Sequence, residues 1–217
     1  MSNEEKVIEV SLKMVQSGLT KGTWGNISLR EGDLIWITPS GVEYTNLKVS
    51  DISIINLKTG EQISGLKPSS EYHLHKAIYE KCPDIAAVVH THSLYATSFA
   101  IALRDIPCCT EDQAGIIGGN IECPTYVPAG TIKLGEVVSE KLHYGSKYAS
   151  LIAYHGLVAV GRSLNEAYTV AEIAEKSAKA VYHAYALNPE IKSLPESDIK
   201  SIREKYIKSY SEHIVSG

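Results

Sequence analysis

Asp84-Ile85-Ala86-Ala87-Val88-Val89-His90-Thr91-His92 runs from a Pro83-Asp84 opening, through an apolar core rich in β-branched residues, into a His-x-His pair. That pattern predicts a short, fully buried strand. In a strand, residues i and i+2 share a face. His90 and His92 would then present two imidazoles side by side, close enough to chelate one divalent metal. Imidazole suits zinc among other metals, and such sites usually need a third or fourth ligand. The rest of the chain can be searched for it.

Outward from this strand, helices and strands intermix. Asn3 or Ser2 followed by Glu4 and Glu5 opens a helix. Val7, Ile8, Val10, Leu12, Met14 and Val15 follow at roughly helical spacing, and Gly18 stops it. Lys21-Gly22-Thr23-Trp24-Gly25-Asn26-Ile27-Ser28 leads into an alternating strand. Glu31-Gly32-Asp33 is a hairpin turn, and Leu34-Ile35-Trp36-Ile37 is the return strand. A further strand is expected over 51–57. Lys67-Pro68-Ser69-Ser70-Glu71 enters a helix to about residue 81, with a serine cap and with Glu71 in the first turn, where the helix dipole favours a carboxylate.

Past the central strand, helices are expected over 93–103 and 131–143. Residues 108–128, punctuated by Gly and Pro, read as short strands and loops. A strand over 150–154 ends in His155-Gly156 and resumes over 157–160. A long helix over 165–187 and a last one over 196–207 complete the chain. No repeat or linker divides it, so one domain over 1–217 is expected. The intermixed elements, with hairpins in the first third, favour a three-layer α/β/α fold around a mixed, largely antiparallel sheet.

The 217 residues carry a formal charge of −4 and no Lys/Arg block. Nucleic-acid binders are usually basic, so no such partner is expected. No apolar run approaches the ~20 residues that span a bilayer, and the Met-Ser-Asn-Glu-Glu-Lys start is no signal segment. Four cysteines without C-x-x-C spacing read as free thiols. A soluble, cytoplasmic protein with no membrane partner is expected.

Eight histidines are present. His73 and His75 fall in a predicted helix, where i and i+2 lie about 200° apart, so they read as ordinary helix residues. His143, His183 and His213 are isolated. His155 ends a buried strand beside Gly156, which allows close backbone approach. Two strands ending in histidine suggest three imidazoles on one sheet edge. By spacing alone, His90 and His92 can equally be core histidines unrelated to His155. Three small polar turns, Gly25-Asn26, Ser40-Gly41 and Ser69-Ser70, can offer N–H groups and hydroxyls to an anion. They can equally be plain turns and caps.

Five segments together resemble the class II aldolase/adducin family in order and spacing. They are Gly22-Thr23-Trp24-Gly25-Asn26-Ile27-Ser28, Ile37-Thr38-Pro39-Ser40-Gly41, Pro68-Ser69-Ser70-Glu71, His90-Thr91-His92 and His155-Gly156. The resemblance implies one divalent cation per subunit on His90, His92 and His155, with zinc the usual metal and manganese or cobalt as alternatives. Glu71 would be acid/base and fourth metal ligand. Gly25, Asn26, Ser40, Gly41, Ser69 and Ser70 would hold the phosphate of a small sugar substrate. The implied reaction is aldol cleavage of a ketose 1-phosphate, such as fuculose 1-phosphate or a 5-deoxypentulose 1-phosphate, to dihydroxyacetone phosphate and an aldehyde. The family also implies a homotetramer with interfacial active sites.

The chemistry agrees with the residues. Breaking the C3–C4 bond leaves an enediolate, a charge that a Lewis acid stabilises, and a neighbouring carboxylate can move its proton. The chain also departs from the family's aldolases. Glu111 stands where they carry a tyrosine acid, and about Ala129 where they carry an aromatic of the aldehyde pocket. Glu111, or Asp112, is the expected replacement acid, and Tyr206 and Tyr210 are candidates to close the site. Sugar-phosphate dehydratases and 4-epimerases share the resemblance and are the alternative, although the epimerases typically have Asp at the Glu71 position. A non-catalytic adducin-like module is disfavoured, because all three histidines and Glu71 are present.

Overall fold

A computed structural model describes residues 1–209. Its centre is a seven-stranded sheet of order β4-β3-β2-β1-β5-β7-β6. The strands are β1 (Asn26–Glu31), β2 (Leu34–Ile37), β3 (Ser53–Asn56), β4 (Gln62–Ser64), β5 (Ala87–Thr91), β6 (Ala149–Ile152) and β7 (Gly156–Gly161). Every pairing between them is antiparallel. The parallel element among the described residues is a lone bridge from Glu122 to Ser150. The helices are α1 (Asn3–Gln16), α2 (Tyr72–Lys81), α3 (Leu94–Ile101), α4 (Glu111–Ile116), α5 (Ile132–Lys141), α6 (Leu164–Leu187) and α7 (Glu196–Ser209).

The sheet separates two helical layers. Asn26 and Ser28 of β1 point toward α2, and α2 packs on α5. Ile27 and Val89 alternate to the opposite face, where α1 and α3 each pack on α6 and all three contact the sheet. The central strand β5 is buried along its whole length, as its continuous apolar run requires. It lies between β1 and β7, with Asn26 opposite His90 and Leu157 opposite Thr91.

Local chemistry explains the boundaries. Ser2 and Glu5 form a reciprocal capping box on α1, whose Val7, Val10 and Met14 are buried. Gly32-Asp33 closes the β1–β2 hairpin, with Glu31 opposite Leu34. Ser163 caps the 24-residue α6 through the Glu166 N–H.

Four expectations need correction. The strand expected over 51–57 begins only at Ser53, because Val49–Asp51 is a 3-10 turn closed by the Asp51 side chain on the Lys48 N–H. Residues 108–128 contain helix α4, capped by Thr110 through the Gln113 N–H. Arg203 of α7 donates to the terminal carbonyls of Gly115 and Ile116, so α4 is completed by a residue far along the chain. The stretch 149–161 is not one interrupted strand but a tight hairpin of β6 and β7, with Ile152 opposite Gly156 and Tyr154 at φ +58°. Glu71 is the N-cap of α2 rather than a first-turn residue; Ser69 Oγ accepts from its N–H.

Candidate metal centre

The β5–β7 pairing and the β6–β7 turn decide the site. His90 and His92 leave the end of β5, and His155 sits in the turn, next to Gly156 at the start of β7. A Cβ on Gly156 would lie 2.3 Å from the Thr91 carbonyl oxygen. Only hydrogen allows β7 this close. The three imidazole rings consequently meet with centroids 4.8–4.9 Å apart.

Glu71 completes the group from the start of α2. His90 Nε2 lies 3.0 Å from His92 Nε2 and 3.2 Å from Glu71 Oε2, and His155 Nε2 lies 3.7 Å from Glu71 Oε1. One ligand atom from each of the four residues falls within 4.8 Å of the others. An ion about 2.1 Å from four tetrahedral ligands separates them by about 3.4 Å, so the spacings match the donor set of a divalent cation.

Two further observations fit. Glu71 Oε1 is buried without a hydrogen-bond partner, a costly state that a cation relieves. His90 Nδ1 lies 2.9 Å from the Leu157 carbonyl and donates to it, which leaves the Nε2 lone pair facing the cluster. Ligating histidines typically make this second bond.

The charges are matched to the same end. Burial raises the Glu71 pKa, but His90, His155 and the Asn26 hydrogen bond outweigh it and hold the carboxylate well below its usual range. Burial, with His90 and His155 beside it, pushes His92 down to about 4. Burial also lowers His155. His90 is raised, because Glu71 overcomes the effect of burial. His92 and His155 are thereby biased toward the neutral, ligating form beside one fixed anion.

Beside the cluster lies a cleft of about 410 Å³. Gly25, Asn26, Ser40, Gly41, Ser69 and Ser70 all line it, together with Glu71, His92 and His155. Two loops bring the serines together: Pro39 bridges Pro68, the Ser40 N–H donates to Lys67, and the Ser69 N–H donates to Thr38. Gly25 adopts φ +72°, and a Cβ there would sit 2.5 Å from the His90 carbonyl. This glycine lets the Asn26 loop close on β5.

Ala129 also lines the cleft. Glu111 does not. It is exposed in the first turn of α4, while Asp112 pairs with Lys176. Tyr206 packs against Gly115 and beneath the Arg203 guanidinium. Tyr210 and His213 lie outside the described residues.

The matching family model is Class II Aldolase and Adducin N-terminal domain, over residues 5–182. The chain belongs to the class II aldolase and adducin family. It is 40% identical over 205 residues to 5-deoxy-D-ribulose 1-phosphate aldolase of Bacillus thuringiensis serovar kurstaki, covering 93% of this chain and 94% of the relative. It is 34% identical over 201 residues to L-fuculose phosphate aldolase of Escherichia coli K12, covering 93% and 92%. A solved L-fuculose 1-phosphate aldolase superposes with a TM-score of 0.89 at 30% identity, covering 94% of this chain and 96% of that one.

His73 and His75 lie in α2 and outside the metal cluster, as read, but the burial of His75 was not foreseen. It is fully buried and bonded to Asn26 and Ser28. The i, i+4 spacing from Glu71 was the available signal. Trp24, whose ring lies 5.6 Å from His92, was noted in sequence only as part of a motif.

Proposed function

We propose that this protein is a divalent-metal aldolase of one domain over 1–217. It cleaves fuculose 1-phosphate or a 5-deoxypentulose 1-phosphate to dihydroxyacetone phosphate and an aldehyde. The observation that carries this reading is the Glu71, His90, His92 and His155 cluster opening onto a cleft lined by Asn26, Ser40, Gly41, Ser69 and Ser70. Relatives named for both substrates, each covering over nine-tenths of the chain, support it.

His90, His92, His155 and Glu71 would hold the metal, zinc in the first instance, with manganese or cobalt as alternatives. When bound, the ion supplies Lewis-acid stabilisation of developing enediolate charge. The serine loops and Asn26 hold the phosphate and so place C3 beside Glu71. Glu71, ionised at rest, would first take up a substrate hydroxyl proton and then deliver it to the former C3 carbon as the C3–C4 bond breaks. Glu71 thus needs to stay ionised in the resting site, and its surroundings favour that state.

Glu111 lies outside its own chain's cleft. As the group that takes the C4 hydroxyl proton during cleavage, and returns it in the reverse condensation, it would act from a neighbouring copy in a homotetramer with interfacial sites. Exposed Trp24, Leu94, Tyr126 and Tyr154 support such an assembly. No helix among the described residues is long and apolar enough to cross a membrane, and the four cysteines are free. Both support a cytoplasmic location.

The test is to incubate zinc-loaded protein with fuculose, ribulose and 5-deoxyribulose 1-phosphates and follow dihydroxyacetone phosphate. Release from at least one is expected. Release from none, or loss of water without carbon–carbon cleavage by mass, replaces the aldolase with the dehydratase alternative or removes both.

A further inference from the structure

Beneath the cleft, a chain of buried side chains joins one face of α2 to one face of β1. Glu71, His75 and Tyr79 are spaced four apart, so they line a single helix face. Asn26 and Ser28 are spaced two apart, so they share a strand face. The two sets interleave. Tyr79 Oη lies 2.6 Å from Ser28 Oγ, and Ser28 Oγ lies 2.6 Å from His75 Nδ1. His75 Nε2 lies 2.5 Å from Asn26 Oδ1, and Asn26 Nδ2 lies 2.8 Å from Glu71 Oε2. Asn26, Ser28, His75 and Tyr79 are each at most 3% exposed.

The carboxylate sets the direction of the whole chain. An ionised carboxylate only accepts hydrogen bonds, so Asn26 must turn its amide nitrogen to Glu71. Its Oδ1 then faces His75, and that requires a proton on His75 Nε2. His75 Nδ1 is left as an acceptor for the Ser28 hydroxyl, and Ser28 accepts in turn from Tyr79. Burial keeps the His75 ring neutral, with its pKa down at about 3, so one nitrogen donates and the other accepts.

The reverse direction is also self-consistent from Tyr79 to Asn26, with the His75 proton on Nδ1. It ends with Tyr79 Oη donating to the Ala86 carbonyl at 3.5 Å. At the other end it sets Asn26 Oδ1 against the Glu71 oxygen, acceptor to acceptor, in a buried site.

We propose that His75 is a positioning residue: as the Nε2–H tautomer it locks the Asn26 amide with its nitrogen toward Glu71, and so fixes the carboxylate that serves the metal and the reaction. The inference rests on the proposed function only in taking Glu71 as the working carboxylate. It gives His75 a role through Asn26, without contact to metal or substrate.

Three readouts test it. Imidazole 15N shifts of His75 in the wild-type protein, assigned by difference from His75→Gln, should report the Nε2–H tautomer. Zinc affinity should fall about 10–100-fold in His75→Phe, the usual cost of losing an outer partner of a ligand, and kcat should fall with it. His75→Gln, whose amide nitrogen can stand in for Nε2, should recover most of both. Ile78→Val, a buried change on α2 outside this chain of contacts, should lower the melting temperature without moving zinc affinity.

An Nδ1–H tautomer at His75 overturns the proposal, and the wild-type spectrum decides this even if His75→Phe does not fold. So does His75→Phe with wild-type zinc affinity and kcat, or His75→Gln no better than His75→Phe. If wild-type protein cleaves no ketose 1-phosphate, the reaction reading fails on its own, and the tautomer and zinc affinities still decide the role of His75.

Discussion

Gly156→Ala adds one methyl group where β7 meets β5, and its consequence can be worked out from the structure. The new Cβ would stand 2.3 Å from the Thr91 carbonyl oxygen, and 3.4 Å from both His90 Cε1 and His92 Cδ2. Ordinary contact begins near 3.4 Å, so the strands must part by about 1 Å at the pair Thr91–Leu157. Overpacking of this kind costs about 1–3 kcal/mol. For a chain of this length that is about 2–12 °C in Tm.

The displacement falls where the site is assembled. The Leu157 carbonyl holds His90 Nδ1, and His155 is the residue before Gly156. Zinc affinity should therefore drop about 10–100-fold, beyond what the stability loss alone produces. Calorimetry with and without zinc, and zinc titration against a competing chelator, measure both quantities. Gly115→Ala is the control. Its Cβ meets nothing closer than 3.5 Å, and its φ is not in the left-handed region, so both quantities should hold. Gly156→Ala with wild-type Tm and zinc affinity would refute the claim that close β5–β7 packing sets the three imidazoles.

Other outcomes follow from the same geometry. Glu71→Gln should lower kcat about 10²–10⁴-fold, whereas Ser70→Ala should chiefly raise KM; full turnover by Glu71→Gln would remove the assigned base. Metal-free protein should lose stability as pH falls from about 6.5 toward 4. Burial holds folded His75 at about 3 and, with two imidazole neighbours, His92 at about 4, so the unfolded chain binds protons that the folded chain refuses. His90, held above its ordinary value by Glu71, works in the opposite sense and flattens the slope; thermal midpoints at pH 7 and 5 measure the sum. Zinc affinity should fall over the same range, because protons compete for the ligands. Gly135→Ala would set its Cβ 2.4 Å from the Ala77 Cβ, between α5 and α2. It should cost about 1–3 kcal/mol, and adding Ala77→Gly should show favourable coupling in a double-mutant cycle.

The sequence by itself determined what is local. The β-branched run 85–89, the His-x-His pair, the helix start at Ser2 or Asn3 and the long helix α6 each specify an element through residues a few positions apart, and the structure has those elements. Motif order and spacing also disclosed the family and the small turns around the cleft. Other features needed the tertiary fold. Whether His155 joins His90 and His92 depends on a hairpin and on a glycine pressed against Thr91, 65 positions earlier. Glu71 became a cap, not a first-turn residue, because loop 67–70 is tied to loop 38–40. Helix α4 was hidden by Gly115 and the Gly118-Gly119 pair after it, and its last two carbonyls are met by Arg203, a partner no local window contains. His75 read as an ordinary helix residue because the strand face it meets is formed 47 and 49 positions away. Propensity and periodicity act over a few residues, whereas a buried polar contact is decided by which distant faces the sheet order brings together.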